Sequence, residues 1–297
     1  MDTLESMRRK IEGAGDLKSI VKTMKAMAAS NIGQYEMAVS SLNDYYHTVA
    51  LGIIAYFKQK DIDSTKEKKQ PKSKKEHITC AIVFGSDQGL VGQFNDVLTN
   101  LVANTFNPLP GKKEVWAIGE RVQLHLTDVG FKPTKLFPVP TSVDAITPLV
   151  SQILLQCEEG YENGNIKEFY IFHNQPLPGA GYVPVSQRLL PLDEKWRSNL
   201  VELRWPTKIL PQVAGGIKPT LAALIHEYLF VSLFRACAES LASENASRLQ
   251  AMQRAEKNIG DLLEELGHKF HSLRQSSIDE ELFDVISGFE SLKNKNK

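Results

Sequence analysis

Two proline-free stretches, one at each end of the chain, carry apolar residues at a spacing that long paired helices use. Residues 2–58 contain no proline, and neither do the residues after Pro219. In the first stretch Ile32, Tyr35, Val39, Leu42, Tyr46, Val49, Ile53 and Tyr56 alternate steps of three and four, the repeat of a coiled coil. Met7, Ile11, Ala14 and Val21 lie on the same helix closer to its start. In the second stretch Leu221, Leu224, Tyr228 and Val231 open a stripe that Ile259, Leu263, Leu266, Phe270 and Leu273 continue. The step then shifts, a stutter that relaxes the supercoil, and Ile278, Leu282, Val285, Phe289 and Leu292 follow. Pro219 is placed to open this helix, where its missing N–H would be unpaired in any case. Gly13, Gly15, Gly33 and Gly52 each cost about 1 kcal/mol relative to Ala, so tertiary contacts must hold the first helix.

At 1.5 Å per residue the first helix spans about 85 Å and the second about 110 Å. Both leave the segment between them, so their stripes can meet only as antiparallel partners. The second should overhang the first by about 25 Å as a bare helix, giving a rod with a lump at one end.

The segment between them changes character twice. Residues 58–77, KQKDIDSTKEKKQPKSKKEH, are rich in lysine and lack apolar periodicity, which predicts a solvated linker. Residues 78–210 then alternate short apolar runs, ITCAIVFGS (78–86), VWAIG (115–119) and EFYIFHNQ (168–175), with amphipathic stretches near 93–106, 120–130 and 143–161. That alternation predicts a Rossmann-like α/β domain with a largely parallel sheet. The prolines of 176–219 mark irregular connections. The expected organisation is therefore an N-terminal coiled-coil helix (1–58), a lysine-rich linker (59–77), a central α/β domain (78–210) and a C-terminal coiled-coil helix (211–297).

Composition narrows the function. A formal net charge of zero gives no reason to expect nucleic acid. No apolar run approaches the ~20 residues that span a bilayer, and MDTLESMRRK has no secretory character. Cys80, Cys157 and Cys237 stand apart from one another among apolar or small neighbours, as buried hydrophobes do. GSDQGLVG (85–92) follows an apolar run, where phosphate loops occur, but lacks a Lys-[ST] pair and GxGxxG spacing. His268 and His271 form a close pair without a metal-site pattern of carboxylates. Neither cofactor nor metal is expected.

Three motifs carry a family resemblance. ESLASENASRLQAM (239–252) with LRQSSIDEELFDVISGFESL (273–292), RRKIEGAGDLKSIVKTMKAMAAS (8–30) and SDQGLVGQFN (86–95) together resemble the gamma subunits of rotary F-type ATP synthases. The resemblance spans nearly the whole chain. It implies a non-catalytic shaft that couples ion flow to ATP synthesis or hydrolysis. The coiled coil would stand inside a ring of alpha and beta subunits. The α/β foot would sit on the rotor ring of c subunits and hold the epsilon subunit. Location would be peripheral, on the cytoplasmic face of a bacterial inner membrane, since the first methionine lies close to the first motif. By motif position Met24, Arg248, Gln275 and Glu281 are the expected contacts to the ring. Leu282, Val285, Ile286 and Phe289 would supply apolar, non-directional contact at the tip, where shallow barriers let a shaft turn. Buried ion pairs there would hold too tightly. An arginine at 248 could meet a beta-subunit carboxylate with two parallel bonds.

The match departs from the family at several places. Asn31, Ile32, Gly33 and Gln34 replace a basic run, which thins the collar facing the beta subunits. Gln88 stands for a basic residue, Asp279 for a threonine, and Lys218-Pro219 for a more acidic segment. These changes point to a divergent branch, with proton and sodium both open as the transported ion. A coiled-coil scaffold unrelated to ATP synthases would satisfy the periodicity alone, but not the motifs.

Overall fold

The structure, a computed structural model, describes residues 3–63, 78–163, 165–178, 181–192, 209 and 216–295, without the side chains of 57–63, 217–218 and 288–295. A helix α1 (Leu4–Asp63) leads into β1 (Ile78–Phe84), α2 (Phe94–Phe106), β2 (Lys112–Ile118), α3 (Glu120–Asp128), β3 (Lys135–Phe137), α4 (Ile146–Glu162), β4 (Ile166–Leu177) and β5 (Gly181–Leu190), and the chain closes with α5 (Ile217–Lys295). Chain contacts divide it into two compact units: Met1–Ala28 with Leu249–Lys297, and Ala29–Arg248. The division falls inside both long helices.

In the larger unit a five-stranded sheet runs in the order β3-β2-β1-β4-β5, parallel except for β5. Ile82 of β1 is paired with Trp116 on one side and Ile171 on the other, so the central strand is covered at both edges. It is also covered on both faces, as parallel strands require. Ala81 and Val83 pack under Leu98 and Val102 of α2 and Val122 and Leu126 of α3. Cys80, Ile82 and Phe84 point the other way, into a core built by Ile153 of α4, Ile53 of α1 and Leu233 of α5. Burying each such Ile or Leu contributes about 1.5–3 kcal/mol. Each long helix thus gives one of its segments to the α/β core.

Two sequence expectations change. The prolines after residue 175 predicted irregular chain, yet 181–190 form β5. Pro184 is tolerated because β5 is an edge strand, where a missing N–H leaves no ladder partner wanting. The chain was also expected to lack an apolar run suited to a bilayer, but α5 holds an 18-residue window of mean hydropathy 1.4. Half of that window is buried, and α5 residues such as Tyr228, Leu229 and Leu233 lie in the core. These are the marks of a core helix. The segment read as a lysine-rich linker starts as helix, up to Asp63, and its remainder is outside the described residues.

In the smaller unit α1 and α5 run antiparallel. Lys25 Nζ bonds Glu256 Oε2, and Lys18 Nζ lies against Gly260. Met7, Ala14, Ala28, Met252 and Leu266 form the buried seam. Lys18 and Lys25 fill the steps between Ala14, Val21 and Ala28, which makes the repeat of three and four continuous from Met7 to Tyr56.

Candidate functional site

Two of the three family-like motifs meet in the larger unit. Helix α5 turns Ser240, Ser243 and Ser247 toward the carboxyl ends of β1 and β4. Ser240 Oγ donates to Phe84 O (2.8 Å), Ser243 Oγ to Asn174 O (2.9 Å), and Ser247 Oγ to Val91 O. All three serines are buried. Asn174 in turn donates to Phe94 O (2.9 Å), and Asn95 grips Ser86 through both its amide groups (2.9 and 3.2 Å). A helix-interior serine usually competes with its own backbone; here each hydroxyl instead reaches a distant carbonyl, on β1, on β4 and in the loop after β1.

The loop 85–92 has its first two donors turned inward. Gly85 N–H goes to Ile118 O (2.9 Å) and Ser86 N–H to the Asn95 side chain. Asp87 accepts Glu120 N–H (2.9 Å) and Val139 N–H (3.0 Å), capping α3 and tying down the chain after β3. A carboxylate placed there repels phosphate. Gly85 and Gly119 serve closeness: an added Cβ would meet Val122 at 2.2 Å and Ser86 O at 2.5 Å, and Gly119 also holds φ 117°. Leu90 is exposed with φ 61°, a conformation bulky residues seldom keep. Sequence reading passed over it.

Arg248 sits at the end of this seam. One amino group bonds Glu244 Oε1 at 2.7 Å, while its buried Nε finds no partner among the described residues. Burial pushes the Glu244 carboxyl up; Arg248 opposes that, and the nearby charge of Asp87 adds to it. The Arg248 side chain is only 13% exposed, so it is first a partner for its own helix.

The other predicted contacts lie in the smaller unit. Met24 is half-buried between exposed neighbours: Leu17, Ile20 and Met27, all more than half exposed, join it in a stripe at steps of three, four and three. This stripe flanks the seam but takes no part in it. Gln275 and Glu281 are exposed on α5. The pairing of α1 with α5 brings Leu4 roughly opposite residues 274–277. From Ile278 to Ser287 every α5 side chain is exposed, with Phe283 at 71% and Val285 at 69%; Leu282 and Ile286 are among them. The stutter after Leu273 therefore falls where the partner helix runs out. The side chain of Phe289 is outside the described residues.

Among the described residues no group of three or more His, Cys, Asp or Glu side chains could hold a metal ion. The ATP synthase family model matches residues 3–292. The chain belongs to the ATP synthase gamma family. The ATP synthase gamma chain of Pasteurella multocida (strain Pm70) is 28% identical over 298 residues, which cover 96% of this chain and 97% of that one. The gamma chain of Glaesserella parasuis is 27% identical over 301 residues with the same coverage. Among solved structures, a chain in the Euglena gracilis mitochondrial ATP synthase, in a structure of OSCP, F1 and c-ring, superposes with TM-score 0.64 at 18% identity, covering 99% of this chain and 96% of that one. Family membership makes this a non-catalytic subunit of the F-type central stalk. The scaffold and nucleotide-loop readings fall with that assignment, and the serine seam is explained as packing within the stalk subunit.

Proposed function

We propose that this chain is the turning shaft of its complex, coupling ion flow through a membrane rotor of c subunits to ATP synthesis or hydrolysis in a ring of alpha and beta subunits. The epsilon subunit would bind the α/β unit, with the assembly on the cytoplasmic face of a bacterial membrane. One observation carries the reading: α5 continues about 25 Å past the start of α1 as a helix whose described side chains are all exposed. An end of that kind stabilises no fold of its own, and exposed Leu282, Phe283, Val285 and Ile286 suit a sleeve that touches from all sides.

Met24 with its exposed apolar neighbours, and Gln275 and Glu281 on α5, are the proposed ring contacts along the smaller unit. Because the usual basic collar is replaced by Asn31–Gln34, the apolar stripe around Met24 carries more of that contact. Arg248 is a proposed contact through the amino group that Glu244 leaves unused.

The test is assembly of this chain with the alpha and beta subunits of its own complex, followed by ATPase assay. Multisite turnover should require the chain and fall by an order of magnitude or more when residues 278–297 are removed. Assembly and full turnover without the chain would sink the proposal.

A further inference from the structure

The face of β4 and β5 that meets α5 carries apolar side chains near Ile171 and Leu189, but polar ones farther along. His173 and Gln175 share the face of Ile171, and Gln187 stands beside Ile171 across the ladder. Opposite them α5 presents Arg235 and Glu239, one turn apart. With Tyr46 of α1 these side chains wall a pocket of about 270 Å³, space for a molecule of about ten non-hydrogen atoms.

The polar groups are arranged with a surplus of donors. Glu239, only 4% exposed, has both oxygens occupied: Oε2 lies 2.8 Å from His173 Nε2 and Oε1 accepts from Arg235 Nε at 2.7 Å. Burial pushes its carboxyl up, but the bonds from His173 and Arg235 outweigh that and hold it below the ordinary value, so it needs no cation. The bond through Nε aims Arg235 and leaves both its amino groups without a partner among the described residues. The Gln175 amide likewise has none; His173, 5% exposed, keeps Nδ1 unpartnered, a donor or an acceptor according to its tautomer. A fold built for packing alone would place apolar residues here, as it does one turn away.

We propose that this pocket binds a small organic oxyanion, its carboxylate or phosphate group accepting from the Arg235 amino groups and the Gln175 amide while its carbon skeleton lies against Tyr46 and Val185. The fork of the guanidinium suits two acceptor oxygens at once.

Calorimetric titration of the full chain with succinate, glycerol 3-phosphate and inorganic phosphate tests this. Succinate or glycerol 3-phosphate should bind saturably with a Kd of about 1 mM or tighter, and whichever binds identifies the head group. Gln175→Leu should weaken that binding about tenfold while the melting temperature of the unliganded chain holds, because Gln175 has no partner to lose. Arg235→Gln should weaken it at least as much. No saturable binding, binding of inorganic phosphate alone, or full binding by the Gln175→Leu chain would each overturn the proposal and leave the stalk assignment untouched.

Discussion

Glu244 and Glu239 stand five residues apart on one helix and respond to pH in opposite senses. Glu239 is held below the ordinary carboxylate value of 4.5, so its contribution is complete above that pH and lost as the pH falls through its folded pKa. Glu244 is raised, so the folded state binds a proton there more readily than the unfolded chain, and stability declines as pH rises from about 4.5 through its folded pKa. Glu244→Gln should therefore flatten the stability profile above pH 4.5, read as urea midpoints across pH 4.5 to 7.5; an unchanged slope would show that Glu244 is not the source. Ser243 offers a plainer measurement. Its hydroxyl donates to Asn174 O at a buried site, so Ser243→Ala should cost about 1–3 kcal/mol by chemical denaturation. The sequence concealed this seam. Serines within a helix read as weak helix formers, and their partners are carbonyls as far as 156 positions away, to which no side-chain pattern points.

At the scale of elements, glycines sort by what surrounds them. An added Cβ at Gly13, Gly15 or Gly267 meets nothing, so Ala at each position should raise stability by up to about 1 kcal/mol through helix propensity alone. Gly85→Ala should lower it by about 1–3 kcal/mol, because Val122 occupies the space. Thermal melts of the four single variants give the comparison, and a rise for Gly85→Ala would contradict the close approach of β1 and α3. Helices and central strands were legible because their burial is periodic. β5 was not, since Pro184 and Gln187 break the apolar alternation and an edge strand needs less of it. The seam of the smaller unit was half legible: Lys18 and Lys25 occupy positions where the pattern asks for apolar residues. A lysine can fill such a place by laying its stem along the seam and ending on a partner, as Lys25 does on Glu256.

For the whole molecule, the end of α5 separates folding from function. Removing 278–297 should shift the melting temperature of the isolated chain by less than about 2 °C, since side chains 278–287 are all exposed. The same truncation should sharply reduce turnover in the assembled complex. A large loss of stability would mean that this segment packs within the subunit and would remove the main support for a bearing at that end. Family and fold class were readable over nearly the full chain because three motifs lie in order along it. The proposed contacts to other subunits were readable only by position in those motifs, for exposed side chains such as Gln275 and Glu281 leave no packing signature.

The three serines of α5 have a mechanical meaning beyond stability. An apolar seam alone would let a smooth helix creep about its own axis, since dispersion contacts are similar at neighbouring orientations. Ser240, Ser243 and Ser247 engage three separate carbonyls, on β1, β4 and the loop after β1, and only one orientation satisfies all of them. They act as a key in a keyway: the segment of α5 from Ser240 to Ser247 cannot slip against the sheet without breaking all three bonds together.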